Sequence, residues 1–246
     1  MSARPVGRLV VALAVAAALA VAAGGVVARE AVASSAGGAA PSLSWERAFP
    51  VERAEPDVHL EARFHGSDGK PHRLELWRHR RAFLHRKTDD ALDLYVVATS
   101  ARDYAYRFVD HRRHVVTGVR RDNLYRIGVF SDWFGLAHVV DRPKAAFELR
   151  ASPDPHPSAA RRDCAWRELV TLGKGAPTTA RICWSSRWAA PLVIEQRGAS
   201  GAWTESFSVQ RAEPTRFRRD ETTLPATPAA YTYVDADHEI APQSGD

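Results

Sequence analysis

Tyr104-Ala105-Tyr106-Arg107-Phe108-Val109-Asp110, then Val115-Val116-Thr117-Gly118-Val119 after a short polar turn, sets apolar side chains at every second position. Successive side chains on a strand point to opposite faces, so a period of two marks a strand with one dry face. The same rhythm runs back toward the N-terminus. Val58, Leu60, Ala62 and Phe64 alternate with polar residues, Gly66-Ser67-Asp68-Gly69 turns the chain, and Leu74 and Leu76 continue on a second strand. Ala82–Arg86 forms a third, Asp89-Asp90 a turn, and Leu92–Ala98 a fourth. Short alternating runs separated by turn residues predict an antiparallel meander.

The rhythm changes at residues 122–140. Leu124, Ile127, Val129, Phe130, Trp133, Phe134, Leu136, Ala137, Val139 and Val140 fill a helical arc of about 200°. Arg142-Pro143 ends the segment. Gly128 and Gly135 disfavour helix, so one kinked helix and two short ones both fit. So wide an arc suits a segment clamped over a concave apolar face, and equally an ordinary core helix on a sheet. Strands resume at Phe147–Ala151, Leu192–Gln196 and Trp203–Arg211, with a Pro153–Pro157 loop and a Gly198–Gly201 turn between them. The expected class is α+β, mostly β. It comprises a flexible leader over 34–50, a single domain over 51–236 and a tail over 237–246.

Cys164 and Cys183 flank a turn centred on Gly173-Lys174. A hairpin centred there sets Cys164 opposite Cys183, Trp166 opposite Arg181 and Glu168 opposite Thr179. Directly opposed strand residues are close enough for a disulfide. Trp166 over Arg181 would add a cation–π contact.

The first 33 residues carry Arg4 and Arg8, an uncharged apolar run Leu9–Ala28, and Ala31-Val32-Ala33 before Ser34. A basic start, an apolar run and a small-residue site make a secretory signal. A periplasmic protein follows, in a compartment where thiols oxidise. An uncleaved inner-membrane anchor is the alternative, since the run is about long enough to span a bilayer.

The 246-residue chain has a formal charge of +5, and removing Arg4, Arg8, Arg29 and Glu30 leaves a mild basic excess. That gives no reason to expect nucleic-acid binding. Arg78, Arg80, Arg81 and Arg86 form the most basic stretch and are expected on the surface, where they would meet anionic head groups or an acidic envelope protein, or simply protect a strand edge. His111-Arg112-Arg113-His114 and the set His65, His72, His79 and His85 invite a metal, but arginines beside the imidazoles oppose a cation. No G-x-S-x-G, H-E-x-x-H or G-x-G-x-x-G occurs, so neither enzyme activity nor a cofactor is expected.

Three segments together resemble the bacterial lipoprotein-carrier superfamily. They are the strands from Val58 to Val119 leading into Asn123-Leu124-Tyr125-Arg126-Ile127-Gly128; Cys183-Trp184, Pro191-Leu192-Val193-Ile194, Gly198, Gly201 and Trp203-Thr204-Glu205-Ser206-Phe207-Ser208-Val209; and the tail Phe217, Leu224-Pro225 and Tyr231-Thr232-Tyr233-Val234-Asp235. The resemblance implies an unclosed β-barrel whose mouth is covered by a lid helix at about 122–140. It implies a monomeric carrier or sensor of lipid or acyl chains. Leu74, Leu76, Leu94, Tyr104, Tyr106 and Phe108 would line the cavity, with Phe130, Trp133 and Phe134 touching it from the lid. The competing expectation is a non-enzymatic exported interaction protein with a solid core and a basic partner-binding edge.

Overall fold

The structure, a computed structural model, describes residues 42–51, 55–101, 103–126, 133–155, 163–173 and 177–240. A short helix α1 (Trp45–Ala48) precedes six meandering strands: β1 (Val58–His65), β2 (Pro71–His79), β3 (Phe83–Thr88), β4 (Leu92–Ala98), β5 (Tyr104–Asp110) and β6 (Val115–Arg120). Helices α2 (Arg121–Arg126) and α3 (Trp133–His138) follow. The second half contributes β7 (Ala146–Ala151), β8 (Ala165–Leu172), β9 (Thr178–Ser185), β10 (Ala190–Arg197), β11 (Trp203–Pro214), β12 (Thr232–Asp235) and α4 (Ala236–Ile240).

All twelve strands join one sheet in the order β12-β6-β5-β4-β3-β2-β1-β11-β10-β9-β8-β7. Neighbours pair antiparallel, except that β12 joins β6 in parallel. The first and last strands in this order do not meet, so the sheet is not closed. The two meanders meet where β1 pairs with β11.

The sheet nevertheless folds over on itself. In a flat sheet seven strand spacings would hold β5 and β9 about 34 Å apart. Yet the adjacent residues Trp133 and Phe134 of α3 reach both strands: Trp133 stacks on Tyr104 at 5.2 Å between ring centroids, and Phe134 lies 6.2 Å from Trp184. Rings that stand off their strands can meet neighbouring residues of one short helix only if the strands curl around it.

Alternation works as expected in the first meander. Leu74, Leu76 and Arg78 of β2 are buried, whereas Glu75, Trp77 and His79 between them are partly exposed. In the second meander Ile182–Ser185 and Ala190–Glu195 are buried at every position, so both faces of β9 and β10 are covered there.

Three expectations change. The segment 122–140 is not one lid helix: α2 and α3 are each six residues long. Residues 127–132 lie outside the described residues. Residues 42–49, assigned to a flexible leader, are built into the fold. Leu43 N–H donates to Leu149 O at 2.8 Å, and Trp45, Ala48 and Phe49 are buried. The hairpin of β8 and β9 is centred one residue later than Gly173-Lys174, so Trp166 pairs with Cys183 and Glu168 with Arg181. Turn geometry fixes register, and moving the centre by one residue moves every pair by two. The Cys164–Cys183 disulfide forms across that register with the two Cα atoms 5.4 Å apart. Arg181 stacks on Trp203 instead of Trp166, 3.9 Å from the ring centroid.

Candidate functional site

The inner face of β1–β6 is apolar because every second residue is, and α3 lies against it. Trp133, Leu136 and Ala137 join one buried cluster with Leu76, Leu84, Leu94, Tyr104, Tyr106 and Phe108. Leu74 falls in a second cluster, with Trp45, Phe49, Trp184 and Phe207. Phe134 is half-buried against that second cluster, its ring 5.8 Å from that of Trp45. Phe130 lies outside the described residues.

What holds α3 in place is polar. The last carbonyls of a helix have no partner within it. Here strands β2 and β3 supply the donors. Arg78 Nη1 donates to Ala137 O at 2.9 Å, and Arg86 Nη1 reaches Leu136 O at 3.4 Å. Arg78 also grips the β9–β10 connection: Nη1 donates to Ala189 O at 3.1 Å and Nη2 to Trp188 O at 2.6 Å. One guanidinium thus ties a strand, a helix end and a loop together. Arg78 is 0% exposed, with Glu55 at 3% and His138 at 1% beside it. Arg78 Nε lies 3.7 Å from Glu55 Oε2, and His138 Nε2 lies 3.7 Å from Glu55 Oε1. His138 Nδ1 donates to Ala189 O at 2.5 Å. Burial lowers the Arg78 guanidinium to about 10, with Glu55 and Asp57 opposing that, so it stays charged at neutral pH.

The backbone is strained on both sides of this clamp. Val139, directly after α3, has φ 59°, and Ala189 has φ 45°. A β-branched residue at positive φ is a genuine outlier, and each such residue costs of order 1–3 kcal/mol.

The basic stretch therefore divides. Arg80 and Arg81 are exposed. Arg78 is wholly buried and Arg86 half-buried, which corrects the surface expectation for both. Parity was the signal: Arg78 continues the series Leu74, Leu76, and Arg86 follows Leu84 by two. Glu55, His138 and Trp188 were missed, because nothing local marks them as partners of a strand elsewhere in the chain.

The outer face of β1–β4 carries a transverse row of stacked rings. His59, Trp77, His85 and Tyr95 sit on consecutive strands with centroids 4.7, 4.7 and 4.1 Å apart and planes within 14°. Beside the row Asp93 is buried, with His111 Nε2 at 2.9 Å and His85 Nε2 at 3.5 Å. Burial would raise the Asp93 carboxyl, but the His85 imidazole beside it and the hydrogen bond from His111 outweigh that and hold the group below its usual range. His111 Nδ1 lies 2.9 Å from Tyr231 Oη, which fastens the C-terminal segment across this face. Among the described residues no three His, Cys, Asp or Glu side chains are placed to hold a metal ion. Among the described residues no helix is long and apolar enough to cross a membrane, and Leu9–Ala28 lies outside them.

What the arrangement shows is attachment: Arg78 ties the C-terminal end of α3 to β2 and to the β9–β10 connection. No family model matches this chain, and no curated protein matches it in sequence.

Proposed function

We propose that this chain is an exported carrier or sensor of apolar groups, akin to the lipoprotein carriers, with α3 as the element that yields to the ligand. Support comes from the way α3 is held. A helix meant only to complete a core gains more from apolar side chains than from a buried cation, because desolvating the charges offsets much of their attraction. A clamp of four arginine hydrogen bonds with strained residues on both sides suits a contact that must open. On loading, an acyl chain takes the place of Trp133, Leu136 and Ala137 against Leu76, Leu84, Tyr104 and Tyr106. Each buried methylene contributes about 0.8 kcal/mol toward offsetting the exposure of those side chains and the loss of the clamp.

One observation favours a second function, an exported interaction protein with a solid core: in the structure described, α3 and α1 occupy the inner face themselves. One experiment separates the two. Protein purified without detergent is extracted with organic solvent for mass spectrometry, and binding of a hydrophobic dye is measured for wild type and Arg78→Met. Co-purified lipid, or dye binding that rises in Arg78→Met while the near-UV spectrum stays native, is the expected result. A lipid-free protein whose folded Arg78→Met variant ignores the dye would favour the solid core.

A further inference from the structure

The connection Ser186–Ala189 that receives Arg78 also forms one wall of a slot of about 400 Å³. Trp188, Leu192, Val209 and Ala212 supply its apolar lining. The slot lies at an irregularity in β11: Glu61 pairs with Arg211 but Ala62 pairs with Val209, leaving Gln210 as the extra residue of a bulge. A bulge bends its strand and re-aims the side chains around it. Gln210 Nε2 folds back onto Ser208 Oγ at 2.8 Å.

Charge at the rim is unevenly satisfied. Arg211 is paired with Glu213 at 2.7 Å and Glu61 at 3.6 Å. Arg187, exposed and lying over the Trp188 ring at 4.6 Å, has no carboxylate partner among the described residues. Asp163 stands at the rim too and disfavours a second negative charge. Apolar lining beside, among the described residues, one guanidinium without a carboxylate fits a single alkyl chain ending in a monoanion.

We propose that this slot is the docking site for a long-chain carboxylate, whose head pairs with Arg187 and whose first methylenes lie on Leu192 and Val209. The assignment rests on the carrier function and adds the class of head group to it. Trp188 links the slot to the clamp. Its ring is the slot wall, its carbonyl accepts from Arg78 Nη2, and the next residue is the strained Ala189. An occupant that shifts Trp188 acts directly on the contact that holds α3.

The test is calorimetric titration of the full chain at low salt with dodecanoate, dodecyl maltoside and dodecyltrimethylammonium, each below its micelle concentration. Dodecanoate is expected to bind about tenfold tighter than the neutral probe, and Arg187→Glu to abolish that advantage while leaving the maltoside unchanged. Val209→Asp, checked for folding by thermal melt, is expected to weaken all three. Equal affinity for the three heads, or indifference to Arg187→Glu, overturns the docking site and leaves the carrier function standing. Failure of every probe to bind, in Arg78→Met as well as wild type, overturns both.

Discussion

Replacing Arg78 by Met keeps the length and apolar stem of the side chain and removes its charge and donors. The carbonyls of Ala137 and Trp188 lose their guanidinium partner, while Ala189 O loses it but keeps His138 Nδ1. Glu55, 3% exposed, is left with His138 at 3.7 Å and Arg81 at 4.0 Å. Each unsatisfied buried acceptor costs about 1–3 kcal/mol, and breaking a buried ion pair by removing one member costs about 3–5 kcal/mol in all. These overlap, so we expect a loss of about 4 kcal/mol. In a domain of this size that lowers Tm by about 8–16 °C. Urea denaturation of wild type, Arg78→Met, Glu55→Gln and the double variant measures it. The double variant is expected to recover about 2 kcal/mol relative to additivity, because no buried carboxylate is then stranded. If Arg78→Met unfolds within 1 kcal/mol of wild type, or the two substitutions simply add, the clamp does not hold the helix as described.

Other consequences are open to direct measurement. Changing both Cys164 and Cys183 to Ser should cost about 3 kcal/mol, read as a lower urea midpoint, and full wild-type stability in the double variant would contradict it. His72 is held above 6.5 by hydrogen bonds to Asp89 and Asp68, so its contribution is complete below pH 6.5 and fades as pH rises through the elevated value. Burial would raise Asp89, but the hydrogen bonds from His72 and the Arg73 amide outweigh it, so its contribution is present above 3.8 and fades as pH falls through the lowered value. The stability difference between wild type and His72→Gln should therefore peak near pH 5 and shrink toward pH 8; a difference independent of pH would refute the pairing. Gly118 lies beneath the Tyr233 hydroxyl, where any Cβ collides with the phenol. Gly118→Val should push the exposed Tyr233 ring aside and loosen β12, speeding amide exchange at Thr232–Asp235 while β4 stays protected, at a cost of about 1 kcal/mol or less because the ring end can swing away.

Local pattern carried much of the fold. The period of two between Val58 and Val119 is a property of neighbouring residues, and strand alternation turns it directly into a sheet with an apolar face. The same parity would have turned Arg78 and Arg86 inward had it been applied to charged residues. The surface expectation instead followed the usual cost of burying a guanidinium, which backbone carbonyls can offset only once α3 and the β9–β10 connection are in place.

The sequence by itself determined the strands other than β12, the order of meander, helical segment and meander, and two cysteines near enough to join. Tertiary structure alone decided the register of the β8–β9 hairpin, the pairing of β1 with β11, the curl that brings β5 and β9 to one short helix, and the meeting of Glu55, Arg78, His138 and Ala189. The reason is range. Alternation and turn chemistry are set by residues a few positions apart, whereas a buried charge finds its partners across more than a hundred positions and is stable only where the whole sheet has excluded water.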